Sequence, residues 1–358
     1  MPNFYILKKH KLNAFLKAAM SDFSIVGPEE ANNGDYLLQE IKDPGKLNLN
    51  YDITSNTLKE FFFPRRETIF NYEQKPGALT RIIPAKDAGG KPIIFFGVRS
   101  CDIRAVYFQD RFFGKPPTDI LYRRKRDRSI LVSFACNRPP RRSCFCIHTK
   151  SGPFLDEGGG FDLQFMELAS DYLIEAGSKK GVALLKRYWK FFIPADKDAP
   201  DRKSSLREAC AKEFKQKYDL LKTRRKLKTA DLRELWKALG KRCTNCGGCE
   251  FICPTCFCFY QQDVKTSEHK GEKIRAWDSC TFAGYNRMAG DNTPHEKNSE
   301  RISRRFFCKI YNSYGWFSVF GCTGCGRCSF VCPVNLDMES LINSLKAGGV
   351  YKPLLNEL

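Results

Sequence analysis

Two stretches of the chain repeat one cysteine spacing without a mismatch. The first run is Cys243-x2-Cys246-x2-Cys249-x3-Cys253-Pro254, and the second is Cys322-x2-Cys325-x2-Cys328-x3-Cys332-Pro333. This spacing is the bacterial ferredoxin pattern for a [4Fe–4S] cube. Three cysteines with two residues between neighbours wrap a tight loop around one cube, while the fourth points away and binds the partner cluster. The chain must therefore fold so that the two runs meet.

The interlocked pattern predicts two sets of four ligands. The first set is Cys243, Cys246, Cys249 and Cys332, and the second is Cys322, Cys325, Cys328 and Cys253. The alternative is a pair of zinc sites, but these use separated C-x2-C pairs and gain nothing from a third regularly spaced cysteine and a Cys-Pro ending. Glycines in both runs would allow unusual φ values and aim backbone N–H groups at sulfur. They are Gly247, Gly248, Gly324 and Gly326.

Further cysteines stand outside the two runs, in a chain that has 17 in all. Six of them lie in unusual sequence contexts: Cys101 in GVRSCD, Cys144 and Cys146 in SCFC, Cys256 and Cys258 in PTCFC, and Cys280 in WDSC. Buried structural cysteines rarely gather in Cys-x-Cys pairs. Two interpretations stay open. Four of the six hold a third iron–sulfur cluster between domains, or the six are reduced core thiols at that interface.

The composition narrows the class of protein. With 42% hydrophobic and 28% charged residues, the chain has the balance of a globular protein. No apolar run approaches the roughly 18–20 residues of a membrane span. Lys8, Lys9 and Lys11 stand where a signal peptide has its apolar segment. We therefore expect a cytoplasmic protein without a membrane span, whose cysteines stay reduced and available for metal.

The chain divides into an α/β part and a cysteine-rich part. The first two-thirds alternates short β-rich runs with helix-like stretches, and the plainest predicted strands are Pro92–Val98 and Ser129–Ala135. The predicted units are an α/β domain over 1–200, a basic helical connector over 201–230, and a mainly helical, ferredoxin-like dicluster domain over 231–358 with its motifs at 243–254 and 322–333. A helix beginning at Asp231 and ending at Gly240 leads into the first run, and another follows the second run and ends at Gly348-Gly349.

Several motifs, in order along the chain, carry a family resemblance. They are GVRSCD (97–102), CFC (144–146), CPTCFC (253–258), WDSC (277–280), EKNSERISRR (296–305) and CTGCGRC (322–328). The chain resembles the 4Fe-4S dicluster family that includes the iron–sulfur subunit of anaerobic sulfite reductase and the β-subunit of sulfhydrogenase-type NiFe hydrogenases. The resemblance runs from about Ile93 to the C-terminus, whereas residues 1–90 match only loosely. One departure is Cys308-Lys309, where the family has His-Lys.

The resemblance implies an electron relay. Members of this family pass electrons between a flavin- and NAD(P)-binding reductase subunit and a catalytic redox subunit. The residues agree, because the sequence has no G-x-G-x-x-G, no nucleophile–base pair and no open metal site. No residue is therefore predicted to be catalytic. The terminal reaction stays open, since sulfite reduction, hydrogen turnover and disulfide reduction can all use such a relay.

Two other functions remain as hypotheses. In one, the chain is an enzyme in its own right, and the extra cysteines form a special third cluster that acts on a small sulfur substrate. In the other, it is a basic, cysteine-rich nucleic-acid-binding protein, as the net charge of +20 suggests. The absence of a recognisable DNA- or RNA-binding motif argues against nucleic acid. The basic surface is better explained by acidic partners and by the negative charge of the clusters.

Overall fold

The computed structural model describes residues 4–31, 33–85 and 89–350. The strands are β1 Phe4–Lys8, β2 Ser24–Glu30, β3 Tyr36–Glu40, β4 Arg66–Glu73, β5 Arg81–Pro84, β6 Ile93–Arg99, β7 Ser129–Phe134, β8 Leu163–Glu167, β9 Asp171–Ala176, β10 Ile193–Pro194, β11 Phe259–Ser267 and β12 Lys270–Trp277. The α-helices are α1 Leu12–Ala19, α2 Lys59–Phe62, α3 Ser100–Phe113, α4 Ile120–Asp127, α5 Lys179–Arg187, α6 Ala199–Lys212, α7 Leu220–Thr229, α8 Arg233–Arg242, α9 Gly248–Phe251, α10 Asn298–Phe306, α11 Ser313–Phe317, α12 Arg327–Val331 and α13 Met338–Lys346. A π-helical segment, Phe307–Asn312, joins α10 to α11.

The larger sheet has eight strands in the order β10-β1-β9-β8-β7-β6-β2-β3. Its centre, β2-β6-β7-β8, is parallel, and its outer pairs are antiparallel. Every residue of β7 is buried, as expected for a parallel strand covered on both faces. Phe95 and Phe96 on β6 belong to cores on opposite faces of the sheet. The predicted mixture of strands and helices in this part of the chain is confirmed.

A second, smaller sheet joins distant parts of the sequence. Its order is β11-β12-β4-β5, and all of its pairs are antiparallel. The β11–β12 hairpin comes from the segment between the two cysteine runs, and β12 pairs with β4 of the N-terminal part. The mainly helical dicluster domain predicted for 231–358 is therefore not confirmed as such. The hairpin escaped prediction because β11 is mostly exposed and polar, with no apolar alternation to indicate a strand.

The helices around the cysteine runs follow the predicted pattern, with corrections at both ends of α8. This helix begins at Arg233, with Leu232 and not Asp231 at its N-cap. Helix α8 does not end at Gly240 but continues to Arg242. A Cβ at position 240 would lie 2.8 Å from the backbone nitrogen of Ser299, so the glycine allows α10 to pack against α8. Helix α13 ends as predicted, just before Gly348 and Gly349, whose φ values are 77° and 91°.

A helix that crosses a membrane needs about 20 predominantly apolar residues. Among the described residues, none of the helices has both the length and the apolar character needed to cross a bilayer.

Candidate metal centres

The structure brings the first predicted set of cysteines together. Cys243, Cys246, Cys249 and Cys332 line one cavity, to which the last cysteine of the second run is carried by the turn after α12. Arg305 from α10 lines the same cavity. Three thiols from one run and one from the other therefore face a common space, and this arrangement fits a [4Fe–4S] cube with borrowed ligation.

The second set lies deeper in the molecule. The Cys322 thiol interacts electrostatically with Cys325 and Cys253. Cys325 also interacts with Cys253, and Cys328 with Cys322. All four are partly buried, whereas Cys246 of the first set is exposed. The first site is therefore the more peripheral of the two.

The two cysteine loops share one backbone conformation. Asn245 and Gly324, each two residues after the first cysteine of a run, have φ values of 54° and 64°. Their N–H groups donate to the sulfurs of Cys243 and Cys322, respectively, each at 3.4 Å. Positive φ is rare for residues other than glycine but is tolerated by asparagine. These donors stabilise negative charge on the sulfurs.

The role of the glycines differs in part from the sequence prediction. Gly247 and Gly326, at equivalent positions, have φ values of 71° and 74°. Gly248, in contrast, begins helix α9. Asn245 takes the left-handed position that glycine fills in the other run. Aligning the two runs would have shown this, because Asn245 falls opposite Gly324.

The SCFC segment of the N-terminal part covers the second cysteine loop. The N–H of Phe145 donates to the carbonyl oxygen of Gly324 at 2.8 Å. A Cβ on Gly324 would lie 2.6 Å from the Cys146 nitrogen, and one on Gly326 would lie 2.8 Å from the Ser143 oxygen. The loop and the segment thus pack backbone against backbone, which explains why glycines are needed there.

A buried ion pair ties the same loop to the large sheet. Arg327, the first residue of α12, donates to both carboxylate oxygens of Asp102 at 2.8 and 3.0 Å. The two side chains are 1% and 2% exposed. Asp102 lies in the first turn of α3, directly after β6, and Arg327 also donates to the Thr54 carbonyl oxygen at 3.0 Å. The aspartate of the GVRSCD motif therefore anchors the second cysteine run.

The surroundings of the thiols suit an anionic cluster. Burial raises the pKa of the Cys249 and Cys322 thiols to about 12, so without metal they stay protonated at neutral pH. Iron has to displace these protons, and a nearby cation then stabilises the resulting charge. Buried Arg305 interacts electrostatically with Cys249 of the first set and Cys328 of the second. It is the cation that both sites share.

The six further cysteines divide into two places. Cys101, Cys144 and Cys146 each interact electrostatically with Cys325, on the side of the large sheet. Cys256, Cys258 and Cys280 surround Glu250 instead. The six do not form one group.

Comparisons with known proteins agree with this arrangement. Residues 242–336 match the family described as 4Fe-4S dicluster domain. The chain is also 27% identical, over 324 residues, to sulfhydrogenase 2 subunit beta of Pyrococcus furiosus, and the alignment covers 90% of this chain and 92% of the relative. The resemblance predicted from the motifs is confirmed, and so is the iron–sulfur character of the chain.

Replacing Asp102 tests the buried ion pair. We expect Asp102→Ala to lower the free energy of unfolding by about 3–5 kcal/mol, because Arg327 would remain buried without its counter-charge. Calorimetry of the anaerobic holoprotein measures the change. The control is Asp231→Ala, which removes an Arg–Asp pair whose side chains are 82% and 63% exposed and which should change stability little. Equal effects of the two substitutions would contradict the anchoring role.

Replacing Gly324 tests the close packing of the SCFC segment. Gly324→Ala should lower iron content and thermal stability, since its Cβ would meet backbone atoms that cannot move independently. Gly290→Ala is the matched control, because Gly290 also has a positive φ, 72°, but nothing lies within 4 Å of its added Cβ. If both variants lose iron equally, the positive φ and not the contact is responsible.

Replacing Arg305 tests the shared cation. A unit charge about 8 Å from a cluster, at an effective dielectric constant of about 20, contributes about 2 kcal/mol, or roughly 90 mV for one electron. Arg305→Met should therefore shift the reduction potentials of both clusters negative by tens of millivolts, because reduction adds negative charge. Arg305→Lys should keep them close to the original values. Redox titration followed by electron paramagnetic resonance measures this, and a shift in only one cluster would rule out a shared effect.

Proposed function

We propose that the chain is the iron–sulfur electron-transfer subunit of an anaerobic, cytoplasmic multi-subunit oxidoreductase. It would relay electrons between a flavin- and NAD(P)-binding reductase subunit and a catalytic redox subunit. The observation that carries the proposal is the cavity lined by Cys243, Cys246, Cys249 and Cys332, which unites cysteines of both runs. The name of the Pyrococcus furiosus relative, a beta subunit of a sulfhydrogenase, supports a role as one of several subunits.

The proposed ligands are the two interlocked sets. Cys243, Cys246, Cys249 and Cys332 hold cluster 1, and Cys322, Cys325, Cys328 and Cys253 hold cluster 2. Each cluster, when bound, accepts and releases one electron at a time. The chain itself supplies the thiolates, the N–H donors of Asn245 and Gly324, and the charge of Arg305. Because each run lends one cysteine to the other set, the two sets of thiols are neighbours in the fold.

The difference in exposure suggests an order for the relay. Cys246 is exposed, so cluster 1 lies near the surface and suits electron exchange with a partner protein. The surface next to it carries Lys241 and Arg242, both exposed. A basic rim of this kind would steer an acidic partner to the exposed thiolate. The cysteines of the second set are all partly buried, so a cluster held there would serve transfer within the chain.

Iron analysis of the anaerobically purified full chain tests the clusters. We expect at least about eight irons and as many sulfides per chain, because two cubes need that number. Zinc in place of iron and sulfide would support the nucleic-acid-binding hypothesis instead. Fewer than about eight irons per chain, with no zinc, would contradict the two proposed clusters and with them the electron relay.

Co-purification of the native complex tests the relay itself. The chain should be isolated together with a flavoprotein and a metal-containing catalytic subunit. In a complex reconstituted with Cys246→Ala, electron flow from NAD(P)H to the terminal acceptor should fall at least tenfold. Each partner should retain its own reaction with an artificial dye. Steady turnover of a sulfur substrate by the isolated chain would favour the enzyme hypothesis.

A further inference from the structure

A further group of buried thiols lies next to the proposed cluster 2. Cys256 and Cys258 follow the first cysteine run, Cys280 follows β12, and Cys308 lies in the π-helical segment after α10. The sequence motifs single out the first three, whereas only the fold brings Cys308 to them. π-helical turns are rare and occur frequently at functional sites. Here the segment presents Cys308 and the buried Lys309 to the same interior region.

These thiols interact with one another and with Glu250. Cys258 and Cys280 interact as neighbouring thiols. The Cys280 thiol also donates to Glu250 Oε1 at 2.9 Å. Cys308 interacts electrostatically with Cys258 and Glu250. Four thiols from three separate segments therefore converge on one interior region.

This group touches the ligand set of cluster 2. Cys256 interacts with Cys253, the cysteine that the first run is proposed to contribute to that cluster, and its N–H donates to the Cys253 carbonyl oxygen at 3.3 Å. An electron carrier held by Cys256 would therefore lie beside cluster 2 without intervening side chains. Such proximity would favour electron transfer between the two.

Lys309 places a buried positive charge beside these thiols. It is 3% exposed, and its Nζ donates to Thr255 Oγ1 at 2.8 Å. It interacts electrostatically with Cys253, Cys256 and Cys308. A buried ammonium group is costly unless a negative charge compensates it. Cluster thiolates would supply that charge.

Glu250 is the acidic side chain that faces the same thiols. Its second oxygen, Oε2, accepts from the hydroxyl of buried Ser279. Glu250 therefore keeps Ser279 as a hydrogen-bond donor when Cys280 loses its proton and binds a metal as a thiolate. Its charge opposes that of Lys309 and would favour the oxidised, less negative state of a cluster.

The ligands of a cube are arranged differently from those of a single ion. Within the described residues, no three or more His, Cys, Asp or Glu side chains have the arrangement of a single-ion site. The four ligands of a cube do not need that arrangement, because each sulfur binds a different iron.

The other three cysteines have a different environment. Cys101, Cys144 and Cys146 lie on the large-sheet side of cluster 2, where the backbone at Cys146 packs tightly against Gly324. Two buried cations lie beside them: Arg327, which is paired with Asp102, and Arg99, which donates to the Tyr51 carbonyl oxygen. They are best explained as core thiols of the interface.

We propose that Cys256, Cys258, Cys280 and Cys308 hold a third [4Fe–4S] cluster, compensated by Lys309. The proposal rests on the relay function above and extends it. Held by these four cysteines, the cluster would supply a further one-electron carrier, which would exchange electrons with cluster 2 without any bond made or broken. Tyr285, which hydrogen-bonds Cys258, directly follows the exposed Gly284, so this region lies close to the surface. The third cluster would thus give the chain a second place, apart from the exposed Cys246, at which to exchange electrons with a partner protein.

Iron counting on single-cysteine variants tests this proposal. The anaerobically purified full chain should hold about twelve irons, as three cubes require. Cys280→Ala and Cys308→Ala should each lose about four irons and one electron paramagnetic resonance signal. About eight irons and the signals of clusters 1 and 2 should remain, and these show that the variants still fold. Cys144→Ala and Cys146→Ala are the matched controls and should keep all three clusters.

The possible outcomes separate this proposal from the proposed function. A wild-type chain with about eight irons, or variants at Cys280 and Cys308 that lose none, would overturn the third cluster and leave the two-cluster relay intact. If the Cys146→Ala variant lost about four irons and the Cys308→Ala variant lost none, the third cluster would lie among Cys101, Cys144 and Cys146. That result would overturn the ligand assignment proposed here. A wild-type chain with fewer than about eight irons would overturn the relay itself.

Discussion

The ion pair between Arg327 and Asp102 connects the two halves of this molecule. Both side chains are almost fully buried, so neither could remain charged there without the other. Asp102 stands where the parallel strand β6 passes into α3, and Arg327 begins the short helix that carries Cys328, a proposed ligand of cluster 2. The sheet thereby sets the position of the cysteine loop. The segment around Phe145 closes over the same loop through the Gly324 carbonyl.

Charge balance explains much of the remaining architecture. Thiolate-bound clusters are anionic, and the described interior places positive side chains beside each group of cysteines. Arg305 lies between the first two sets, and Lys309 lies beside the group that includes Cys256 and Cys308. Lys59 donates to the carbonyl oxygens at the end of α9 and stacks on Trp277 at 3.6 Å. The basic residues of this chain therefore have interior roles as well as surface ones.

Features encoded by neighbouring residues could be predicted from the sequence, and features made by distant residues could not. The spacing of Cys243 to Cys253 predicted the dicluster chemistry, and the apolar runs predicted β6 and β7. The partner of Arg327 could not be found, because Asp102 is 225 residues away. The β11–β12 hairpin gave no signal, since β11 is polar and mostly exposed. Cys308 stands outside every spacing motif, and only the π-helical turn brings it to the other thiols.

The β11–β12 hairpin has a consequence for how such a chain can be divided. Its strand β12 is completed by β4, which lies far upstream, so the cofactor-carrying part and the N-terminal part are interleaved in one sheet. A fragment cut after the N-terminal part would expose an unpaired strand edge, which invites aggregation. Unlike a free-standing ferredoxin, this dicluster unit cannot be moved between proteins as a separable cassette. The whole chain is therefore the smallest unit that can be expressed or engineered with this sheet intact.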